Sequence, residues 1–354
     1  MQKFRDKIFN EEVFERYVNS LPSTKENSLI KNGLFTNVNK YKALMSEQTG
    51  GYAVLSPIKG RLGGTPVNYD GNTNIPKGAE RDTFYQRKIC YGRAMSWGEY
   101  DFSADITNTN FKAEAQEVRD YWDEQRQSTV LSIVAGIFGM TGGVNGAFVT
   151  KHTYDITSDT NPNLGADSMN RANQKALGDK KAKFDIAFMH SMVSTNLEGL
   201  NLIEFLKYTD AQGIERPLQI GTYNGKLVIV DDEMPTEDVA ESSEGAGDGY
   251  TAYTTYVFQK GFFEYENIGL VTNKAIELAR DPYDKGGKTD LISRIREMVV
   301  PYLISYKGTG TVSPTNTDFA TGSNWELANN DKTGNAKVYV DDKLIPLARI
   351  ISRG

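Results

Sequence analysis

The chain has 354 residues, with 40 lysines and arginines against 46 aspartates and glutamates and a formal net charge of −6. That length is enough for two hydrophobic cores, or for one core with large excursions. The net negative charge argues against a protein whose affinity comes from neutralising nucleic-acid phosphates. A DNA-binding protein that reads base sequence is therefore disfavoured.

Cysteine content and hydropathy limit the cellular setting. One cysteine, Cys90, excludes an intrachain disulfide framework and a cysteine-based zinc site. Charged residues interrupt the apolar stretches at the amino terminus, so no secretory signal is present. The longest apolar run, residues 130–140, is too short to span a bilayer. We expect a soluble protein that is made in a reducing cytoplasm and has no membrane partner.

Residues 1–49 read as an arm. A short helical stripe of apolar residues at its start gives way to a polar, extended stretch. Such a segment buries too little apolar area to hold itself in place. We expect neighbouring chains to order it.

Residues 50–103 read as a long two-stranded ribbon. Two extended segments flank a middle rich in glycine and asparagine, and turn signals such as Asp70-Gly71 place the reversal between Asn68 and Glu80. An isolated two-stranded ribbon is marginal in water, so one this long needs another surface to lie on.

The strongest helical pattern covers residues 110–138. Apolar residues recur at steps of three and four, Asn110 is a good N-cap, and Gly139 follows the last apolar residue. A helix of this length spans roughly 40 Å. Gly136 is the one residue inside it that weakens the prediction.

The remaining elements predict a mixed chain. We expect the following, in order: a strand pair at 147–157, helices at 166–177 and 181–195, a hairpin of 218–223 and 226–230, a β pair within 250–270, and the longest strand at 291–306. Asn224-Gly225 is a strong hairpin signal. This order lacks regular strand–helix alternation, so the predicted fold class is α+β.

The run Gly286-Gly287-Lys288-Thr289 invites a phosphate-loop interpretation. That motif needs a glycine five places before its last glycine, and Pro282 stands there. The residues that follow also read as a strand, where a phosphate loop requires a helix. A loop that feeds a strand is the better interpretation.

The histidines and carboxylates offer little chemistry. His152 and His190 are the two histidines, and neither lies in a recognisable nucleophile motif, so each is interpreted as structural. Eight acidic residues lie between Asp231 and Asp248 without the spacing of a calcium loop, which is typical of a solvated surface loop. We predict no catalytic, cofactor-binding or metal-binding residues.

Three phrases near the carboxyl terminus follow one another in a telling order. They are AIELARDPYDKGGKTDLISRIREMVVPYLISYKG (275–308), SPTNTDFATGSNWELA (313–328) and KLIPLARIISRG (343–354). Upstream, GRLGGTPVNYDGNT (60–73) and YGRAMSWGEYDFSADIT (91–107) look like an extended loop and its return strand. In this order the phrases resemble the major capsid proteins of tailed bacteriophages, whose Hong Kong ninety-seven fold is shared with bacterial encapsulin shells.

The resemblance implies an organisation for the whole chain. It comprises an N-terminal arm (1–49), an extended loop (50–103), a peripheral domain (104–160 and 272–354) with the spine helix 110–138, and an axial domain (161–271). The ribbon would lie over a neighbouring subunit. Its apolar residues should then be exposed in an isolated subunit and covered in the shell; they are Tyr52, Val54, Leu55, Tyr85, Ile89 and Tyr91.

The resemblance also implies a structural function. The chain would form hexamers and pentamers of an icosahedral virion head that encloses double-stranded DNA without sequence-specific binding. The expected partners are a scaffolding protein, a portal protein and a decoration protein. The length leaves no room for a scaffolding domain before the arm, which implies either a separate scaffolding protein or removal of the domain by processing, and Met1 favours the former. An encapsulin-like compartment and, less favoured, a hydrolase using His152 or His190 stay open as alternatives. Lys77 is the candidate for covalent cross-linking, although no partner asparagine or glutamate can be matched.

Overall fold

The computed structural model describes nine stretches of the chain, namely 33–46, 52–60, 65–74, 83–101, 115–209, 215–240, 249–270, 274–308 and 310–353. Within these stretches strands and helices are mixed, as the sequence predicts.

The secondary structure is numbered here in chain order. The strands are β1 (Phe35–Asn37), β2 (Ala53–Lys59), β3 (Thr83–Ile89), β4 (Tyr91–Tyr100), β5 (Thr153–Asp155), β6 (Ile186–Met189), β7 (Ile203–Thr209), β8 (Glu215–Tyr223), β9 (Lys226–Val230), β10 (Thr236–Val239), β11 (Tyr250–Phe258), β12 (Phe263–Asn267), β13 (Ile276–Asp281), β14 (Lys288–Pro301), β15 (Ile304–Tyr306), β16 (Trp325–Leu327) and β17 (Leu347–Ser352). The helices are α1 (Lys42–Ser46), α2 (Ala115–Phe138), α3 (Gly143–His152), α4 (Ser168–Leu177), α5 (Ser191–Gly199) and α6 (Asn316–Ala320).

A five-stranded sheet is organised around β14. Strands β4 and β13 pair with the first part of β14, and β12 pairs with its last residues. Strand β1 adds to β12 in parallel. The predicted longest strand is thus confirmed, although it begins at Lys288 and is interrupted at Leu303, whose φ of 59° turns the chain before β15.

An eight-stranded sheet forms the second layer. Its order is β5-β17-β11-β6-β9-β8-β7, and β10 pairs with β11. Strands β11 and β12 do not pair with each other, since one lies in each sheet. The predicted β pair within 250–270 is therefore wrong in its pairing. Gly261, with φ of 73°, turns the chain from one sheet to the other.

The long helix is present as α2. Its carboxyl-terminal end at Phe138 matches the prediction, and Asn110 lies outside the described residues. Val130, Ile133, Val134 and Ile137 are all buried in the largest apolar cluster, which also receives side chains from both sheets. The stripe at steps of three and four is therefore the core-facing surface of the helix.

Two predicted elements downstream are wrong. Residues 147–152 belong to helix α3 instead of a strand, because Phe148 and His152, one turn apart, pack side by side into the interior. The predicted helix 181–195 contains β6, whose four residues are all buried at the centre of the eight-stranded sheet. Short apolar runs are compatible with either structure, and here the tertiary setting decides.

Two other local predictions are confirmed. Helix α4 lies within the predicted 166–177. Strands β8 and β9 form the predicted hairpin, in which Asn224 (φ 50°) and Gly225 (φ 71°) both adopt the left-handed conformation. That geometry matches the twist of the flanking strands.

Among the described residues, no single helix is long and apolar enough to cross a membrane. By length and composition alone, α2 and α3 would pass together as a pair, bent by 114°.

Candidate functional site

The middle of the ribbon, residues 65–74, is exposed to solvent and is called here the tip. Strands β2 and β3 pair in register from Ala53 opposite Ile89 to Lys59 opposite Thr83. All ten residues of 65–74 are exposed, and the side chain of Tyr69 is 90% accessible. An exposed aromatic side chain at the end of a projecting ribbon is suited to contact another subunit, because tyrosine is favoured at interfaces.

The tip has a preformed turn. The Asp70 carboxylate accepts hydrogen bonds from the Thr73 and Asn72 backbone N–H groups, at 2.7 and 2.9 Å. These bonds, the one from Thr73 first, hold the pKa of the Asp70 carboxyl below its ordinary value. Gly71 follows with φ of 77°. A turn thus forms at Asp70, inside the range 68–80 predicted for the reversal, while residues 75–82 lie outside the described residues.

The base of the ribbon is built into the subunit. The Gln86 side chain is buried and donates to the Pro301 and Ile304 carbonyls, at 2.7 and 2.9 Å. Ile89 and Tyr91 are each only 2% accessible. The prediction that these two residues are exposed in an isolated subunit is therefore wrong. It fails because the return strand joins the five-stranded sheet, whereas Leu55, farther out, is 49% accessible.

The spine helix is fixed to β14 by polar contacts inside an apolar interface. The Trp122 indole N–H donates to the Ser293 hydroxyl at 2.9 Å, and the ring packs with Ile276 and Leu291. Trp122 therefore lies against the long strand β14. This contact fixes both the distance and the rotation of the helix on the sheet.

A buried ion pair lies one turn farther along the helix. Arg126 makes a bidentate pair with the Glu297 carboxylate on β14, at 2.6 and 3.0 Å. The Tyr265 hydroxyl donates to the same carboxylate at 2.9 Å. Burial opposes the charge on Arg126, but the Glu297 carboxylate outweighs it and holds the pKa of the guanidinium above its ordinary value. The network has a structural role, since its charged groups pair with one another.

The histidines are separate and structural. His152 is 1% accessible, its Nδ1 lies 2.5 Å from the Leu347 carbonyl oxygen, and its ring stacks on Phe148. His190 caps helix α5 by accepting a hydrogen bond from the Met192 N–H at 3.1 Å. Both histidines thus have structural roles, as the sequence indicates.

A shallow cavity of about 190 Å³ lies between β4 and the start of α2. It is lined by Trp97, Gly98, Glu99, Glu117, Val118, Tyr121 and Leu291, and by neither histidine. A hydrolase of the predicted kind needs a histidine beside a nucleophile in such a concavity. This cavity does not provide one.

The glycine-rich run before β14 lies in a turn, and the described part of the acidic segment lies mainly at the surface. Gly286 and Gly287 (φ 90° and 130°) form the turn between β13 and β14, so the loop feeds a strand, as expected. The described part of the acidic segment, 231–240, carries exposed carboxylates, and no metal-binding cluster of histidine, cysteine or acidic residues occurs where the structure is described. Lys77 lies outside the described residues.

Comparison with known proteins addresses both fold and identity. No family model matches the sequence. The capsid of Ralstonia phage GP4 superposes with a TM-score of 0.53 at 12% identity, covering 91% of this chain and 90% of that one. The Cyanophage Pam1 capsid asymmetric unit gives 0.54 at 10% identity, covering 94% of each chain. The chain therefore has the phage capsid fold of the Hong Kong ninety-seven type.

The sequence itself is similar to the major capsid protein of Bacillus phage SPP1. The two are 26% identical over 320 residues, which cover 89% of this chain and 90% of that protein. By sequence and by fold, the chain is thus similar to tailed-phage major capsid proteins. A structural, non-enzymatic role in the virion head shell agrees with both comparisons.

For a shell protein of the kind that the comparisons indicate, the surfaces that contact other subunits are the functional site. Since a shell is built from many copies, the protein self-associates. Sequence patterns found the ribbon and the spine helix, but they missed the close packing at Gly136 and the buried ion pairs. The sequence signal for the close packing was a single glycine, Gly136, inside an otherwise helical pattern. Nothing in the sequence distinguishes Glu297 or Lys88 from surface charges.

Proposed function

We propose that this major capsid protein forms hexamers and pentamers that close an icosahedral shell around double-stranded DNA, which it encloses without reading base sequence. The observation that carries the proposal is the similarity to the SPP1 major capsid protein along nearly the whole chain. The net charge of −6 fits enclosure better than tight phosphate binding.

In this proposal the ribbon contacts the neighbouring subunit within each ring. Ring interfaces are head-to-tail, so one patch of a subunit meets a different patch of the next, and rotation closes the ring. The exposed tip around Tyr69 is the element that reaches the neighbour. Because the same patches must close rings of five and six, a separate scaffolding protein is proposed to set curvature. A portal protein and a decoration protein complete the proposed partners.

The proposed division of the chain cuts across its two sheets, because β12 lies in the five-stranded sheet and β17 in the eight-stranded one. The arm (1–49) and the loop (50–103) are the excursions, residues 104–160 and 272–354 form the peripheral domain, and residues 161–271 form the axial domain. The anchoring of α2 on β14 supports the peripheral unit. Strand β17 pairs with β11, so the carboxyl terminus ties the two proposed domains together.

Electron microscopy of the purified protein tests the proposal. Closed shells of uniform diameter with rings of five and six are the expected result. Particles without closed shells, in the presence of the scaffolding protein, would contradict it.

Deletion of residues 60–81 tests the role of the ribbon. The variant should fold and remain monomeric, because β2 and the buried residues of β3 are retained while the projecting tip is lost. Circular dichroism checks folding, and sedimentation velocity checks assembly. Shells indistinguishable from those of the wild type would remove the ribbon from the interface.

A further inference from the structure

The arm and the base of the ribbon meet at one polar cluster, in which Lys88 and Glu266 are buried. It consists of Tyr41 from the arm, Lys88 from β3, and Glu264 and Glu266 from β12, and is called here the arm–ribbon junction. Glu264 and Glu266 are two residues apart on a strand and therefore face the same side of the sheet. Tyr265 lies between them on the strand and faces the other side of the sheet, where its hydroxyl donates to Glu297.

The arm is held to β12 by backbone pairing and by one carboxylate. Strand β1 pairs in parallel with β12, from Phe35 opposite Phe263 to Asn37 opposite Tyr265. Glu266, which is 3% accessible, then accepts hydrogen bonds from the Tyr41 N–H at 3.0 Å and the Lys42 N–H at 2.7 Å. Charge-assisted bonds of this kind are stronger than neutral ones.

The ribbon enters the junction through Lys88. Its side chain is 3% accessible, and its ammonium pairs with the Glu264 carboxylate. The same ammonium donates to the Tyr41 hydroxyl at 2.9 Å and lies 4.7 Å from the centre of the Tyr41 ring. The buried ammonium of Lys88, a residue of the ribbon, therefore contacts both the arm and the five-stranded sheet.

An apolar cluster lies beside these polar contacts. Met45 from α1 packs with Cys90, Ile268, Met298 and Val300, and Tyr52 and Val54 at the ribbon base lie against the same cluster. The arm therefore touches the ribbon base through apolar as well as polar side chains.

We propose that Lys88 is a positioning residue that couples the arm to the ribbon, so that displacement of the arm loosens the ribbon base. The physical cause is the cost of a buried ammonium that has lost a partner: when Tyr41 leaves, Lys88 keeps Glu264 alone. The arm and the ribbon base therefore favour one position relative to each other. The inference rests on the proposed function only in taking the arm and the ribbon as the parts that reach neighbouring subunits.

Glu266 provides the decisive test, because its hydrogen bonds go to the arm and not to the ribbon. Glu266→Gln and the more severe Glu266→Ala should release the arm. Hydrogen–deuterium exchange of the full-length, unassembled subunit measures the response. We expect roughly tenfold faster exchange in 33–46, and also several-fold faster exchange in 53–59 and 83–89, with 168–177 unchanged.

Glu277→Gln is the matched control. Glu277 lies in the same sheet and pairs with Arg294, away from the junction. This variant should leave exchange in both the arm and the ribbon at the wild-type rate.

A second pair of variants tests Lys88 itself. Lys88→Met removes the charge but keeps the length, and Tyr41→Phe removes only the hydroxyl. Their effects on ribbon exchange should be less than additive in the double variant, because both act through one contact. Faster exchange confined to the arm in the Glu266 variants, unchanged arm exchange, or additive effects would each overturn the proposal. Shell formation is read separately by microscopy, so failure of the coupling and failure of the proposed function are distinguishable.

Discussion

At the scale of single residues, Trp122 carries much of the contact between the spine helix and β14. It is 6% accessible, it packs with Ile276 and Leu291, and its indole N–H is bonded to Ser293. Trp122→Ala should therefore lower the free energy of unfolding by about 3–5 kcal/mol. Urea denaturation of the subunit measures the change. Tyr283→Ala, at a side chain 94% accessible, should change it by less than about 0.5 kcal/mol.

His152 should make subunit stability depend on pH. Burial lowers the pKa of its imidazole, with smaller opposing effects from the Leu347 carbonyl and Asp342. The unfolded chain, whose histidine pKa is about 6.5, then binds a proton more readily than the folded one. The stability that neutral His152 contributes is complete above that pH and is lost as the pH falls below it.

Unfolding curves between pH 7.5 and 5.5 test this dependence. His152→Leu should show a shallower loss of unfolding free energy on acidification than the wild type. Phe148→Leu alters the same packing but keeps the titrating group, so it should lower stability at every pH without changing the slope. An unchanged slope in the His152 variant would assign the acid sensitivity to carboxylates.

At the scale of elements, the end of the spine helix depends on glycine. A Cβ at Gly136 would lie 1.9 Å from the Phe319 carbonyl oxygen and 2.5 Å from Trp325 Nε1, and one at Gly322 would lie 1.9 Å from the Gly139 carbonyl oxygen. The helix therefore packs directly on the backbone of α6 and of the turn that follows it. This explains a glycine that weakens the helical pattern when the sequence is considered alone.

Gly136→Ala separates this packing from helix propensity. Alanine should gain up to about 1 kcal/mol as a better helix former. The clash with a backbone carbonyl should cost more, with a net destabilisation of about 1–3 kcal/mol. Gly199→Ala, where no atom lies within 4 Å of the added methyl, should be neutral or stabilising. Chemical denaturation of both variants gives the comparison, and a stabilised Gly136→Ala subunit would contradict it.

Sequence patterns predicted correctly those elements whose geometry depends on residues close together in the chain. The left-handed pair Asn224-Gly225 fixed a hairpin, and the apolar spacing fixed α2. The patterns failed at residues 181–195, where the apolar run of β6 is buried by the strands on either side, and at β11 and β12, which separate into two sheets. Pairing partners distant in the sequence leave no local signature.

At the scale of the whole molecule, the fold class and the shell function followed from the resemblance, while the contacts that position the excursions did not. Glu266 and Tyr41 are 225 residues apart in the chain, and Lys88 and Glu264 are 176 apart. Lysine and glutamate are normally exposed, so the burial of Lys88 and Glu266 depends on the completed fold. Sequence reasoning therefore located the ribbon but placed Ile89 and Tyr91 at an exposed surface.

Charge distribution predicts how assembly responds to salt. Residues 1–49 carry eight basic and six acidic residues, and residues 50–103 carry seven and five, so the remainder of the chain is acidic, at −10. In the proposed assembly, mildly basic excursions would meet the acidic bodies of neighbouring subunits. Such complementarity mainly sets register and association rate, with each exposed pair contributing about 0–1 kcal/mol.

Raising salt should therefore slow assembly without dissolving finished shells, whose stability comes from buried apolar area and strand hydrogen bonds. Light scattering during assembly at 50 mM and 500 mM NaCl should show the slower rate, and microscopy of preformed shells in the higher salt should show them intact. A charge-neutral change at the ribbon tip, Tyr69→Ala, should weaken assembly equally at both salt concentrations, since it removes apolar contact alone. Preformed shells that dissociate at 500 mM NaCl would mean that ion pairs hold the lattice together.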